Sequence, residues 1–140
     1  MRQLNKARDI REQLQGLCDR VEVEVTVNTE QDVDAICKAL CAGYFYNTSK
    51  LSKSGDYKTV KQQHTVYIHP SSVMCKDEDP PRWLCYHELA FTTKEYMRVV
   101  APIKGEWLVE IAPHYYKADD VEDSTNKKMP KQTGKAAEQF

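Results

Sequence analysis

At Tyr44 the spacing of apolar residues changes from a helical to a strand period, and that change limits what the chain can fold into. Before it, Leu4, Ala7, Ile10, Leu14, Leu17, Cys18 and Val21 recur at helical spacing, with Arg8, Asp9, Arg11 and Glu12 on the other side. Val21 to Val25 then alternate, so the predicted helix ends near Arg20. Val33, Ile36, Cys37, Leu40 and Cys41 predict a second helix, closed by Gly43 and opened by Thr29 and Asp32 in the manner of a capping box. Two amphipathic helices of this length cannot cover each other's stripes and stand alone. They read as the end of a larger helical unit, residues 1–43.

From Tyr44 onward the period is two. Strands are predicted at Tyr44–Thr48, Tyr57–Lys61, His64–His69 (stopped by Pro70), Trp83–Thr92 and Tyr96–Ile103. On the fourth strand Trp83, Cys85, His87, Leu89 and Phe91 share one face. A polar loop centred on Ser54-Gly55-Asp56 joins the first two strands, and the acidic, Pro-closed loop 76–81 joins the third and fourth. Five short strands in about 60 residues suit a small barrel, which removes exposed edges by closing on itself. Trp107, Leu108, Ile111 and Ala112 predict a short helix packed on that barrel and broken by Pro113. Beyond Lys117 apolar residues are too sparse for a core, which predicts disorder or an extended arm. The expected architecture is therefore mainly β with flanking helices: 1–43 helical, 44–112 a five-stranded barrel, 113–140 a partly disordered extension.

The chain of 140 residues has 41% apolar residues, enough for a core. No apolar stretch approaches the roughly 20 residues needed to cross a bilayer, and Met1-Arg2-Gln3-Leu4-Asn5-Lys6 opens no secretory apolar run, so no membrane role is expected. Five cysteines at positions 18, 37, 41, 75 and 85 fit no disulfide or zinc framework, and reduced thiols in an intracellular protein are the simplest account. A net charge of −1 hides strong segregation. Residues 44–64 carry +3, residues 105–123 carry −5, and residues 124–140 carry +3 again.

Enzyme motifs are missing. Gly134-Lys135 lacks the glycine and hydroxyl residue of a phosphate loop, and His87-Glu88 is followed by Phe91 where a zinc protease needs histidine. Cys85 with His87, or Cys37 with Cys41, shares a face and could ligate a metal, but small buried thiols and a half-buried histidine explain them more simply. No catalytic residue and no metal site is expected. What stands out is the stretch 50–61, where Lys50, Lys53, Lys58 and Lys61 are interleaved with Ser54, Tyr57 and Thr59 on a strand-loop-strand. Lysines neutralise phosphates, hydroxyls reach phosphate or ribose, and an aromatic ring stacks on a base. On these residues alone, single-stranded nucleic-acid binding and a solvated hairpin with edge-protecting lysines both remain open.

Several runs resemble one family. They are Ala42-Gly43-Tyr44-Phe45, Tyr57-Lys58-Thr59-Val60-Lys61-Gln62-Gln63, Val66-Tyr67-Ile68-His69-Pro70-Ser71-Ser72, Trp83 to Leu89, Thr92 to Arg98, and Trp107 to Tyr116. In order and spacing across about residues 2–118 they resemble the C-terminal region of DEAH-box RNA helicases. The tail Lys127-Lys128-Met129-Pro130-Lys131 with Gly134-Lys135 is most similar to the pre-mRNA-splicing branch acting before the first splicing step.

The resemblance implies the end of a ratchet-like helical domain followed by an OB-fold barrel, in a nuclear protein of the spliceosome. It implies upstream motor domains that bind ATP and Mg2+, while this stretch itself needs no cofactor. Single-stranded RNA (pre-mRNA), an activator protein bearing a glycine-rich patch and spliceosomal proteins are the implied partners. Lys50, Lys53, Ser54, Tyr57, Lys58, Thr59 and Lys61 are then the expected RNA contacts. Tyr115 and Tyr116, beyond Pro113, are expected to dock a partner, with at least one ring at the surface. A purely protein-docking module without RNA contact is the alternative. Asp56 is inserted within the family's Ser-Gly-Tyr run and places an acid in the proposed RNA loop.

Overall fold

The computed structural model describes residues 2–27 and 30–122, which form two compact units divided after Asp32. The first holds helix α1 (Arg2–Arg20), none of whose residues is buried. Its end is fixed by backbone geometry. Glu22 takes φ 58°, its N–H donates to the Asp19 carbonyl at 3.4 Å, and the Val23 N–H reaches Cys18 at 2.9 Å. This is a Schellman closure with glutamate where glycine is usual. The expected pair at Thr29 and Asp32 lies partly outside the described residues.

The second unit contains helix α2 (Val33–Gly43), strands β1 (Thr48–Leu51), β2 (Tyr57–Thr59), β3 (Thr65–Ile68), β4 (Trp83–Phe91) and β5 (Glu95–Pro102), and helices α3 (Gly105–Ile111) and α4 (Ala118–Val121). The strands close into a barrel in the order β1-β2-β3-β5-β4, all neighbours antiparallel except β3 and β5. The five-stranded barrel with flanking helices is the architecture that the change of period predicts.

Its core has two layers, because β4 is buried on both faces at its start. Leu84 and Tyr86 point into the barrel with Tyr57, Val66 and Met97. Trp83 and Cys85 point outward, where they pack with Cys37 and Cys41 of α2, Trp107 and Leu108 of α3, and Tyr116. Strict alternation thus serves two apolar environments rather than one apolar and one wet side. Further along β4, His87 and Phe91 are exposed, so the expected five-residue apolar face holds only over its first half. Trp107 and Leu108 are buried as expected, and Ile111 is half-buried.

The helix α2 belongs to the barrel's compact unit and not with α1. Lys38 pairs with Glu110 of α3 at 2.8 Å, and Asp34 pairs with Lys104. Residues 44–47, expected to be strand, form a turn in which the Asn47 N–H donates to Tyr44 at 2.9 Å. Their alternating aromatics are used for packing instead: Phe45 lies against the outer core layer and Tyr44 edge-on to His87. The first strand accordingly starts at Thr48, which brings Lys50 into it. Residues 118–121, expected to be disordered or extended, form α4, whose start is held by the Lys117 N–H donating to the Asp120 carboxylate at 2.9 Å. The expected disorder of the remaining tail lies outside the described residues.

Candidate functional site

The register of the barrel decides which side chains share its outer surface. Ser49 and Leu51 of β1 point inward, Ser49 donating to the Met97 sulfur at 3.1 Å and Leu51 packing on the inner layer, so Lys50 points outward. Lys50 stands directly opposite Lys58 on β2, and Lys58 opposite Thr65 on β3. Two residues further along that face is Tyr67, whose partner across the parallel pair is Tyr96 of β5. The outer surface therefore carries a cross-strand row that runs from cations to aromatics. Like charges directly opposite each other cost stability in a sheet, and an anionic ligand removes that cost.

At the cationic end, Lys50, Lys53, Lys58 and Arg82 line a groove of about 490 Å³ that also carries Asp119, Asp120 and Glu122. The ammonium of Lys50 lies 4.7 Å from the centre of the Trp83 ring, a cation–π contact that holds the side chain along the strand. At the aromatic end the Tyr67 and Tyr96 ring centres are 6.3 Å apart, and His69 meets Tyr96 edge-on at 5.6 Å. Lys94, from the turn between β4 and β5, caps the Tyr67 ring at 4.3 Å. The Ser71 backbone N–H donates to His69 Nδ1 at 3.1 Å and fixes the imidazole plane.

The expected contacts divide into three groups. Lys50, Lys53 and Lys58 are brought together. Ser54 is exposed, but its hydroxyl is spent inside the turn on Ser52 Oγ at 2.7 Å and Asp56 at 3.5 Å, around Gly55 at φ 88°. Tyr57 and Thr59 are corrections, because both point into the protein. The Tyr57 ring lies in the barrel, its hydroxyl donating to the Pro81 carbonyl at 2.5 Å, and Thr59 Oγ1 accepts the His64 N–H at 3.0 Å. In a strand of period two, Lys58 faces outward only if its two neighbours face inward, so all three could not have served together. Lys61 leaves the strand, and its ammonium pairs with Asp120 at 2.6 Å and sits 5.5 Å from the Tyr115 ring centre.

The tyrosines expected to dock a partner also separate. Tyr116 is 1% exposed and belongs to the core. Its hydroxyl donates to the Phe45 carbonyl at 2.5 Å and accepts from Thr48 Oγ1 at 2.5 Å, and burial pushes its pKa up to about 12. Tyr115 is half-buried against Phe45 at 5.6 Å, in an aromatic group that includes Tyr46 and His114. Arg82, Tyr67, His69, Lys94 and Tyr96 are additions that the sequence reading missed. The alternation around Val66 and Met97 carried the signal for the two tyrosines, since both flank inward-pointing residues.

Neither Cys41 nor Cys85 is poised for chemistry. Burial pushes Cys41 up to about 11 and raises Cys85 as well, so both stay protonated at neutral pH. Among the described residues no group of three or more His, Cys, Asp or Glu could hold a metal ion, and no helix is long and apolar enough to cross a membrane. Compared with known protein families, residues 36–115 match the oligonucleotide/oligosaccharide-binding (OB)-fold family, a span that opens in α2 and ends at Tyr115.

Proposed function

The chain belongs to the oligonucleotide/oligosaccharide-binding (OB)-fold family, and from that premise we propose that it binds single-stranded RNA across the outer face of β1, β2, β3 and β5. The observation that carries the proposal is the row Lys50, Lys58, Tyr67, Tyr96. Phosphates lie in the groove of Lys50, Lys53, Lys58 and Arg82, and bases stack toward Tyr67 and Tyr96. A neutral oligosaccharide would use the aromatics but has no need of two lysines set directly opposite each other, which favours the polyanion.

The resemblance to DEAH-box helicases extends this reading. The domain is an accessory element of an ATP-dependent RNA helicase of the nuclear spliceosome, acting before the first splicing step. Motor domains elsewhere in that protein supply ATP and Mg2+ chemistry, and the barrel helps to keep RNA in their channel. The exposed ring of Tyr46, beside Phe45, His114 and Tyr115, favours a second contact with an activator bearing a glycine-rich patch or with a spliceosomal neighbour.

Counterion release provides the test. Replacing Lys50, Lys53 and Lys58 together by Ala should weaken binding of oligouridylate and of mixed-sequence RNA by similar factors. The slope of log affinity against log salt should flatten by about 2, at roughly 0.7 for each phosphate that is no longer neutralised. An unchanged slope removes the groove from the reading.

A further inference from the structure

Resting on the RNA reading, we propose that α4 is a displaceable acidic latch, an intrachain occupant of the basic groove that single-stranded RNA must push aside. The cationic wall of the groove described above faces Asp119, Asp120 and Glu122. Beside the groove, Lys61, which does not itself line it, pairs with Asp120 at 2.6 Å, the two side chains 32% and 28% exposed. The Lys61 ammonium and then the Lys117 N–H hold the Asp120 carboxyl below the usual carboxylate range, so the acid is fully charged where it meets the lysine. Carboxylates on the rim of a lysine-lined groove occupy the positions that phosphate oxygens would take.

The latch is attached in a way that permits release. With four residues, α4 has too few turns to be stable alone. Its apolar anchor is Val121, which packs on the outer core layer beside Gly105 and Trp83. A β-carbon on Gly105 would come within 2.8 Å of both Trp83 Cε2 and Val121 Cγ1, so the missing side chain is what lets α4 close down. Asp120 adds a charged contact to Lys61, while its bond from the Lys117 N–H lies within the segment itself. Contacts between surface charges weaken with salt and yield to a ligand of higher charge density. The carboxylates of Asp119, Asp120 and Glu122 are thus a built-in competitor for phosphate at the lysines of the groove.

The test uses the full 140-residue chain, oligouridylate of about 12 nucleotides, and the charge-neutral variant Asp119→Asn/Asp120→Asn/Glu122→Gln. At about 50 mM salt the variant should bind about tenfold more tightly, the combined effect of removing three negative charges beside the lysines, each worth about 0.5 kcal/mol. Its salt slope should steepen by about 0.7 as Lys61 becomes available to a phosphate. In the unaltered protein, saturating RNA should shift the Val121 methyl signals toward their positions in an unpacked segment, because α4 leaves its seat beside Gly105 and Trp83. Equal affinity of the two proteins, with Lys50→Ala/Lys58→Ala still weakening both, overturns the latch and leaves the RNA reading intact. Tighter binding with Val121 unmoved also overturns it, since α4 would then act only as fixed charge. No binding by either protein overturns both.

Discussion

The hydroxyl of Tyr116 joins the segment after α3 to the first strand of the barrel, and removing it tests how that segment is held. In Tyr116→Phe the ring keeps its place, while the Phe45 carbonyl and the Thr48 hydroxyl each lose a partner. Tyr116 is 1% exposed and Thr48 2%, so water cannot replace the missing oxygen without opening the core. Loss of a hydrogen bond costs about 1 kcal/mol and a buried unsatisfied partner adds to it, for a total of about 2 kcal/mol. In a domain of this size that lowers Tm by roughly 8–16 °C, measured by thermal unfolding followed by circular dichroism. Thr48→Val in the Tyr116→Phe background should add little, since the hydroxyl it removes is already without a partner. The coupling in the double-mutant cycle should be about 1 kcal/mol. RNA affinity should be unchanged, because the ring lies in the core and not on the outer row. A Tyr116→Phe protein within about 0.5 kcal/mol of the parent would refute the reasoning.

Three further outcomes follow from the same structure. Gly105→Ala should cost about 1–3 kcal/mol in denaturant unfolding, because its methyl would be forced against the Trp83 ring and Val121. Val99→Gly should stabilise by about 0.5–1 kcal/mol in the same assay, since Val99 is exposed and sits at φ 53°, a region unfavourable to a β-branched side chain. Alkaline pH should destabilise the fold. Tyr57 and Tyr116 rise from 10.0 to about 12 and Cys41 from 9.0 to about 11 on burial, so the unfolded chain loses these protons first. Stability should then fall by several kcal/mol as pH climbs from about 9 to 12; an unchanged unfolding midpoint at pH 11 would contradict those burials.

The barrel was legible because period-two alternation is set locally, and each of the five strands appeared within a few residues of its expected place. The partition of β4 was not, since alternation puts Trp83 and Cys85 on one face without saying that it is Leu84 and Tyr86, on the other, that fill the barrel. Periodicity reveals that two faces differ, and only the closed topology says which one is inside. The lysines of the groove were legible from composition alone. Tyr57 and Thr59 were misassigned because a run of residue types carries no facing until the register is known. α4 was missed for the opposite reason. Four residues with one bulky apolar side chain give no helical signal, and α4 forms because Val121 finds the space above Gly105 and Asp120 finds Lys61.

The central claim is that single-stranded RNA lies along the outer row from Lys50 to Tyr96. Mapping the backbone and side-chain resonances that shift as oligouridylate is added to the 140-residue chain tests it directly. The expected perturbations centre on Lys50, Lys58, Thr65, Tyr67 and Tyr96, with Lys53, Arg82 and Lys94 at the ends of the row and α2 little changed. Shifts confined to the Phe45, Tyr46 and His114 group, or no shift at saturating RNA, would contradict the account.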